Sequence, residues 1–196
     1  MKKVTSFKSI VLGLSMFSLV LGSCSSDDNS LIIISDPVKV GDVQGEYVGK
    51  MAIEEGEAVR EVEVDFSVQD SLLTFSDFPV DELKAKLVEA EVLSVAVLEE
   101  ESTEKVGYVL GIESKLTENP NLLELVMTAE PLVMQITDGD AVKEVEVIFE
   151  VKESGVYVGT EKTVSFEVIA KSLKVNGEEK EDALSVSYKV VRFLKK

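Results

Sequence analysis

The chain has 196 residues, a formal charge of −17, one cysteine, no histidine and no tryptophan. One cysteine cannot form a disulfide framework, and the lack of histidine excludes His-based metal sites, triads and proton shuttles. Phosphate recognition needs a basic face, so nucleic acid is excluded as a partner. About 170 residues suit one domain with a sizeable core.

The first 23 residues carry Lys2, Lys3 and Lys8 and no acid, followed by an apolar run from Ile10 to Leu21. A spanning helix needs about 20 apolar residues, so this shorter run, closed by small residues, reads as a secretory signal peptide. Without it, 173 residues remain with a charge near −20. Residues 24–39 read as a flexible acidic tether, with an apolar, β-branched patch at Leu31–Ile34 that could add an edge strand.

From residue 40 to 196 the apolar period is close to two, the pattern of half-buried strands. Gly45–Ile53 predicts a strand, Glu55-Gly56-Glu57 a turn, and Val62, Val64, Phe66 and Val68 the dry face of the next strand. Asp70-Ser71 turns into Leu72–Phe75. Pro79–Leu87 predicts the one helix, with Asp77 as cap, Pro79 in the first turn, and Val80, Leu83 and Leu87 on one face. This helix is expected to plug or cover one end of the sheet. Strands are expected again at Val92–Leu98 and Val106–Ile112, with Glu99–Glu101 as a solvated tip between them. Further strands are expected at Leu123–Thr128, Leu132–Ile136, Val142–Val151 and Thr163–Ala170. Asn176-Gly177 is a two-residue hairpin signal, and Leu184–Phe193 a final strand.

The segment 51–71 recurs at 134–154 without a gap, with twelve of 21 positions identical. Arg60 matches Lys143, and Glu55 and Glu57 match Asp138 and Asp140. The repeat predicts two equivalent hairpins, facing each other across a sandwich or on opposite walls of a barrel, since one hairpin alone is not stable. Ile148 breaks the match, standing where copy one has Asp65. An apolar residue on an otherwise acidic outer face marks it as a candidate interaction position.

Acids are the only abundant reactive groups. Glu61 with Glu63, and Glu144 with Glu146, stand two apart on strand faces, the spacing of a glycosidase pair. With no tryptophan for sugar stacking, a solvated acidic face is the better reading. Glu54, Glu55, Glu57, Asp138 and Asp140 crowd two hairpin tips that could offer oxygens to Ca²⁺. Neither tip fits an EF-hand loop, and ordinary Asp-Gly turn chemistry accounts for them, so no metal is assigned. Ser172 and Lys174 carry no supporting motif. No nucleophile elbow or phosphate loop is present, so neither catalysis nor a cofactor is expected.

Leu21, Gly22, Ser23 and Cys24 resemble the bacterial lipobox, which implies cleavage before Cys24 and acylation of that cysteine. Two or more acyl chains make a stable anchor. Ser26, Asp27 and Asp28 resemble the surface-export signal of Bacteroidetes lipoproteins, which implies the outer membrane and its outer face. Taken with Gly45, Tyr47 and Gly49 opening a β domain, the chain resembles small Bacteroidetes lipoproteins, some with calycin-like, that is lipocalin-like, barrels. The expected fold is all-β and mostly antiparallel, a barrel or sandwich of 8 to 10 strands with a duplicated hairpin and one short helix. The expected role is that of a surface-anchored, non-enzymatic structural or interaction module, with the membrane at Cys24 and an envelope protein as partners. The second reading is a calycin-like binder of a small apolar ligand.

Overall fold

A computed structural model describes residues 36–99, 105–180 and 184–196, all within the compact unit Ser35–Lys196. The signal and lipobox residues, Cys24, Ser26, Asp27, Asp28, Leu31–Ile34, Glu100 and Glu101 lie outside the described residues.

Eleven antiparallel strands form one sheet: β1 (Gly45–Glu55), β2 (Ala58–Gln69), β3 (Leu72–Phe75), β4 (Tyr108–Leu116), β5 (Leu122–Ala129), β6 (Leu132–Asp138), β7 (Ala141–Val151), β8 (Gly155–Val158), β9 (Thr163–Val175), β10 (Glu178–Lys180) and β11 (Val186–Lys195). Eight of them close a barrel in chain order, β1-β2-β3-β4-β5-β8-β9-β11, and β11 pairs back onto β1. Closure removes the edges that an open sheet would expose. The barrel, rather than the sandwich, follows from β11 pairing on both sides. Tyr188 lies opposite Ile53 of β1 and Val168 of β9.

Two bulges shape this wall. In β11 one extra residue falls between Val190 and Phe193, where Arg192 has φ +55°. Alternation along Val186, Tyr188 and Val190 would turn Phe193 outward. The bulge re-aims it, and Phe193 is fully buried. In β9 the extra residue lies between Ala170 and Ser172, where the strand leaves β11. Its first part belongs to the barrel, and its last part carries β7 on one edge and β10 on the other. Asn176 and Gly177 both have positive φ, so the Asn-Gly signal forms the β9–β10 turn.

The duplication appears in the structure as two hairpins of one register. Met51 faces Val62 and Ile53 faces Arg60; 83 residues on, Met134 faces Val145 and Ile136 faces Lys143. Gly56 and Gly139 both turn with left-handed backbone. The expected placement on opposite walls is corrected. β1–β2 lies on the closed barrel path, whereas β6–β7 is appended to the sheet through β7 and the far part of β9, with Phe149 of β7 packed on Tyr108 and Tyr188.

The helix α1 spans Asp81–Glu89, starting two residues later than the sequence pattern suggests. Val80 is its N-cap, without a side-chain bond, and Asp77 does not cap it. The reason is tertiary: the Phe78 N–H donates to the Val106 carbonyl at 2.7 Å, which keeps the chain extended there. Val92–Leu98 is not a strand. It forms turns followed by the short helix α2 (Ala96–Glu99). Its buried residues are Leu93 and Val97, four apart, while Val95 is 62% exposed. That spacing matches a helical turn and not an alternating strand. The four-residue β8 was too short to register as a period.

The opposite end of the barrel receives the incoming chain. Val38 is buried and its N–H donates to the Pro120 carbonyl at 2.8 Å. A 3-10 turn at Val40–Val43 follows, and the Tyr47 hydroxyl donates to the Val43 carbonyl. The last residues assigned to the tether therefore belong to the barrel base.

Candidate functional site

In barrels of this fold class the lumen is the first place to seek a site. Here nine aromatic rings fill it, in one chain of contacts. Phe66 meets Tyr47, Phe75, Phe166 and Phe193 at centroid distances from 5.1 to 5.9 Å. Phe75 then meets Phe78, which touches Tyr108, Phe149 and Tyr188. All six phenylalanines of the β domain belong to this cluster. Their edge-to-face and offset geometry is that of a packed core. Burial also holds every phenol of the domain above its ordinary range. Desolvation is the first cause for Tyr47, Tyr108, Tyr157 and Tyr188.

The Gly45, Tyr47, Gly49 motif acquires a physical meaning in this packing. Tyr47 stacks on Phe66, and the Phe193 ring lies on Gly49 so closely that a Cβ there would fall 2.9 Å from it. Only a glycine lets the ring approach the strand this closely.

The helical segment closes the barrel end on Tyr188. Leu83 and Leu87 of α1 are fully buried, as is the Tyr188 ring. The Tyr188 hydroxyl and Glu82 Oε2 are both buried and have no hydrogen-bond partner among the described residues. Desolvation, then the Glu82 and Asp81 charges, push that phenol far up.

The two repeat hairpins grip this segment from both sides with equivalent side chains. In copy one, Arg60 bonds Glu82 at 2.6 Å, and Glu55 pairs with Lys86. In copy two, Lys143 donates to the Val92 carbonyl at 2.6 Å, and Asp138 accepts from Ser94 Oγ at 2.5 Å. Arg60 and Lys143 are repeat counterparts, as are Glu55 and Asp138. Lys143, itself 2.7 Å from Asp138, and then Ser94 hold the Asp138 carboxyl below its ordinary range. Hydrogen bonds that the Lys86 ammonium donates to Glu55 and Glu89 hold it above its ordinary range.

Three of the five acids at the hairpin tips, Glu54, Glu55 and Asp138, are thus paired with cations of the chain. Glu54 pairs with Lys189 at 2.5 Å, in addition to the pairs of Glu55 and Asp138. Among the described residues, no group of three or more acidic or cysteine side chains is placed to hold a metal ion. Three of the four strand-face acids are engaged: Glu61 with Lys50, Glu144 with Gln135, and Glu146 with Lys174. Lys174, two residues from Ser172 on β9, is bound to Glu146 at 3.0 Å. Ile148 lies half-buried on the outer face of β7, opposite Ser172 at the β9 bulge.

Two surface clefts accompany these features. One, of about 430 Å³, lies between Glu91, Val92 and Lys143 and the β9–β10 turn. The other, of about 480 Å³, lies at the base, bordered by Val38, Asp42, Tyr157, Lys162 and Lys195. No helix among the described residues is long and apolar enough to cross a membrane.

The fold and its interior define a closed antiparallel β-barrel with a filled lumen, a helical cap and an appended duplicate hairpin. The chain belongs to the family described as Domain of unknown function (DUF4840), whose model matches residues 42–175. That span includes both hairpin copies and the helical cap, and stops before the closing strand β11. No curated protein and no solved structure matches the chain.

Proposed function

We propose that this chain is a lipid-anchored, non-enzymatic interaction module of the cell envelope, held at Cys24 and displayed on the outer face of the outer membrane. The observation that carries the reading is the lumen packed with aromatic side chains. A barrel filled in this way offers its outer wall and its strand edges as working surfaces. The lipobox-like Leu21, Gly22, Ser23 and Cys24, followed by Ser26, Asp27 and Asp28, supports the anchor and the export. The closed antiparallel barrel, with its eight wall strands in rising chain order, supports a calycin-like β domain. Between Cys24 and Asp36 the chain can extend at most roughly 40 Å, enough to lift the barrel base clear of a bilayer surface.

Two measurements test this. Protease applied to intact cells removes the wild-type domain, and Cys24→Ala abolishes both acyl labelling and surface display. An acyl-labelled protein that stays protected on intact cells would contradict display. Native mass spectrometry of Ser25 to Lys196, expressed without its lipid and gently purified, gives a mass with no bound small molecule. A small apolar molecule retained in the native mass and lost on denaturation would overturn this reading in favour of a binding barrel.

A further inference from the structure

The two hairpin copies differ in one respect that their shared register makes plain. In copy one the outer edge of β1 is covered: Met51 pairs with Val190, Ile53 with Tyr188 and Glu55 with Val186 of β11. In copy two, β6 occupies the place of β1 against its own partner β7. Its outer edge has no strand neighbour among the described residues. The same unit is thus present twice, once with an antiparallel strand on that edge and once without.

The β6 strand carries none of the sequence devices that protect free edges, although the short helix α2 packs against β6 and Ser94 bonds its last residue, Asp138. Natural edge strands carry lysine, proline or a bulge, or are very short. Leu132–Thr137 holds no charged residue and no proline, in a chain that is 29% charged. Its pairing with β7 is regular over all seven residues. Leu132, Met134 and Ile136 are buried inward, while the outward Val133 is 55% exposed.

We propose that β6 is a dimerisation edge, pairing antiparallel with β6 of a second copy about a two-fold axis at Gln135. This names the partner of the interaction module proposed above and rests on that reading. The occupant follows from the strand itself. Full overlap of the seven residues centres on Gln135 and sets Val133 opposite Thr137, Met134 opposite Ile136 and Leu132 opposite Asp138. Both inward sets then fall on the same face, as a sheet requires. No like charges meet across the axis, because the one acid, Asp138, faces Leu132 and is already held by Lys143 and Ser94. The two β-branched Val–Thr pairs are favourable cross-strand neighbours. A strand that is uncharged and compatible with its own reverse meets the condition for an isologous contact. Pairing joins β10-β9-β7-β6 of one copy to the same four strands of the other. The large negative charge of each copy opposes approach, so the dimer strengthens with added salt.

The test is sedimentation velocity on the chain from residue 24 onward carrying Cys24→Ser, at rising concentration and at two salt concentrations. The expected result is a concentration-dependent dimer. Gln135→Lys sets two ammonium groups against each other on the axis and raises the dissociation constant about tenfold or more, with the melting curve of the monomer unchanged. In the same background, Gln135→Cys gives a disulfide-linked dimer on mild oxidation, whereas Val133→Cys, well off the axis, does not. A monomer at every concentration overturns the proposal, as does a dimer that Gln135→Lys leaves intact or a cross-link through Val133→Cys alone. Protease sensitivity and acyl labelling on cells do not depend on β6, so a monomer that is still surface-displayed refutes this pairing and not the anchored module.

Discussion

Replacing Phe66 by alanine removes the ring on which four others converge inside the barrel. Phe66 is 3% exposed, and its neighbours Tyr47, Phe75 and Phe193 are fully or almost fully buried, so little can relax into the space. Truncating a buried phenylalanine costs about 3–5 kcal/mol, the spread reflecting how far a site collapses. Each ring pair adds about 0.5–1.5 kcal/mol beyond area burial, which places this site in the upper half, at about 4–5 kcal/mol. For a chain of this size each kcal/mol lowers Tm by about 2–4 °C, so the expected fall is roughly 10–15 °C. Urea unfolding followed by circular dichroism gives the free energy, with Val59→Ala as the control. Val59 is 63% exposed, and its truncation should stay within about 0.5 kcal/mol. A Phe66→Ala loss below about 1.5 kcal/mol with an unchanged denaturant slope would refute a close-packed lumen, and with it the main support for an interaction module over a ligand carrier.

Three further outcomes follow from the same geometry. All four tyrosines hold their protons above the ordinary range near 10, so their contribution is complete below that pH and is lost as pH rises through the folded values. Phenolate absorbance should therefore appear in one step together with unfolding. A gradual rise in the folded protein, centred near pH 10, would contradict the burial. Gly49→Ala forces a methyl against the Phe193 ring and should destabilise by about 1–3 kcal/mol in urea, whereas Gly41→Ala, with nothing within 4 Å, should be nearly neutral. Equal midpoints for the two would show that Phe193 does not lie on Gly49. Asp138 is held low by Lys143 and Ser94, so its contribution is present above the ordinary aspartate value near 4 and is lost as pH falls through the lower folded value. Asp138→Asn should lower stability at neutral pH and flatten its acid dependence, and hydrogen exchange should quicken in residues 92–98. Unchanged exchange there would remove the hairpin grip on the helical segment.

The grip also gives a physical account of the duplication. A short helix with one apolar stripe gains most of its stability from tertiary packing. Two copies of one hairpin supply a cation and an acid each, at equivalent positions, on either side of that segment. The helical cap is thus fixed over Tyr188 by paired polar contacts as well as by Leu83 and Leu87.

Period-two alternation by itself determined most of the strands, because each wall strand has one face in the core and one in water. The Gly-centred and Asn-Gly turns were equally legible, since their left-handed backbone restricts the residues that can stand there. The repeat was readable too, down to its register, because equivalent residues face equivalent partners in both copies. Local pattern did not carry three decisions. Val92–Leu98 looks like a strand until Leu93 and Val97 are seen to share a buried side. Phe193 breaks the alternation of β11, and only the bulge at Arg192 explains why it is buried. The two hairpin copies share twelve of 21 residues and one register, yet only one lies on the closed barrel path. What separates them is the strand on the outer edge, β11 for β1 and none described for β6. Strand partners are chosen across distances of a hundred residues or more, by which edges remain unpaired once the barrel has closed, and no local spacing records that choice.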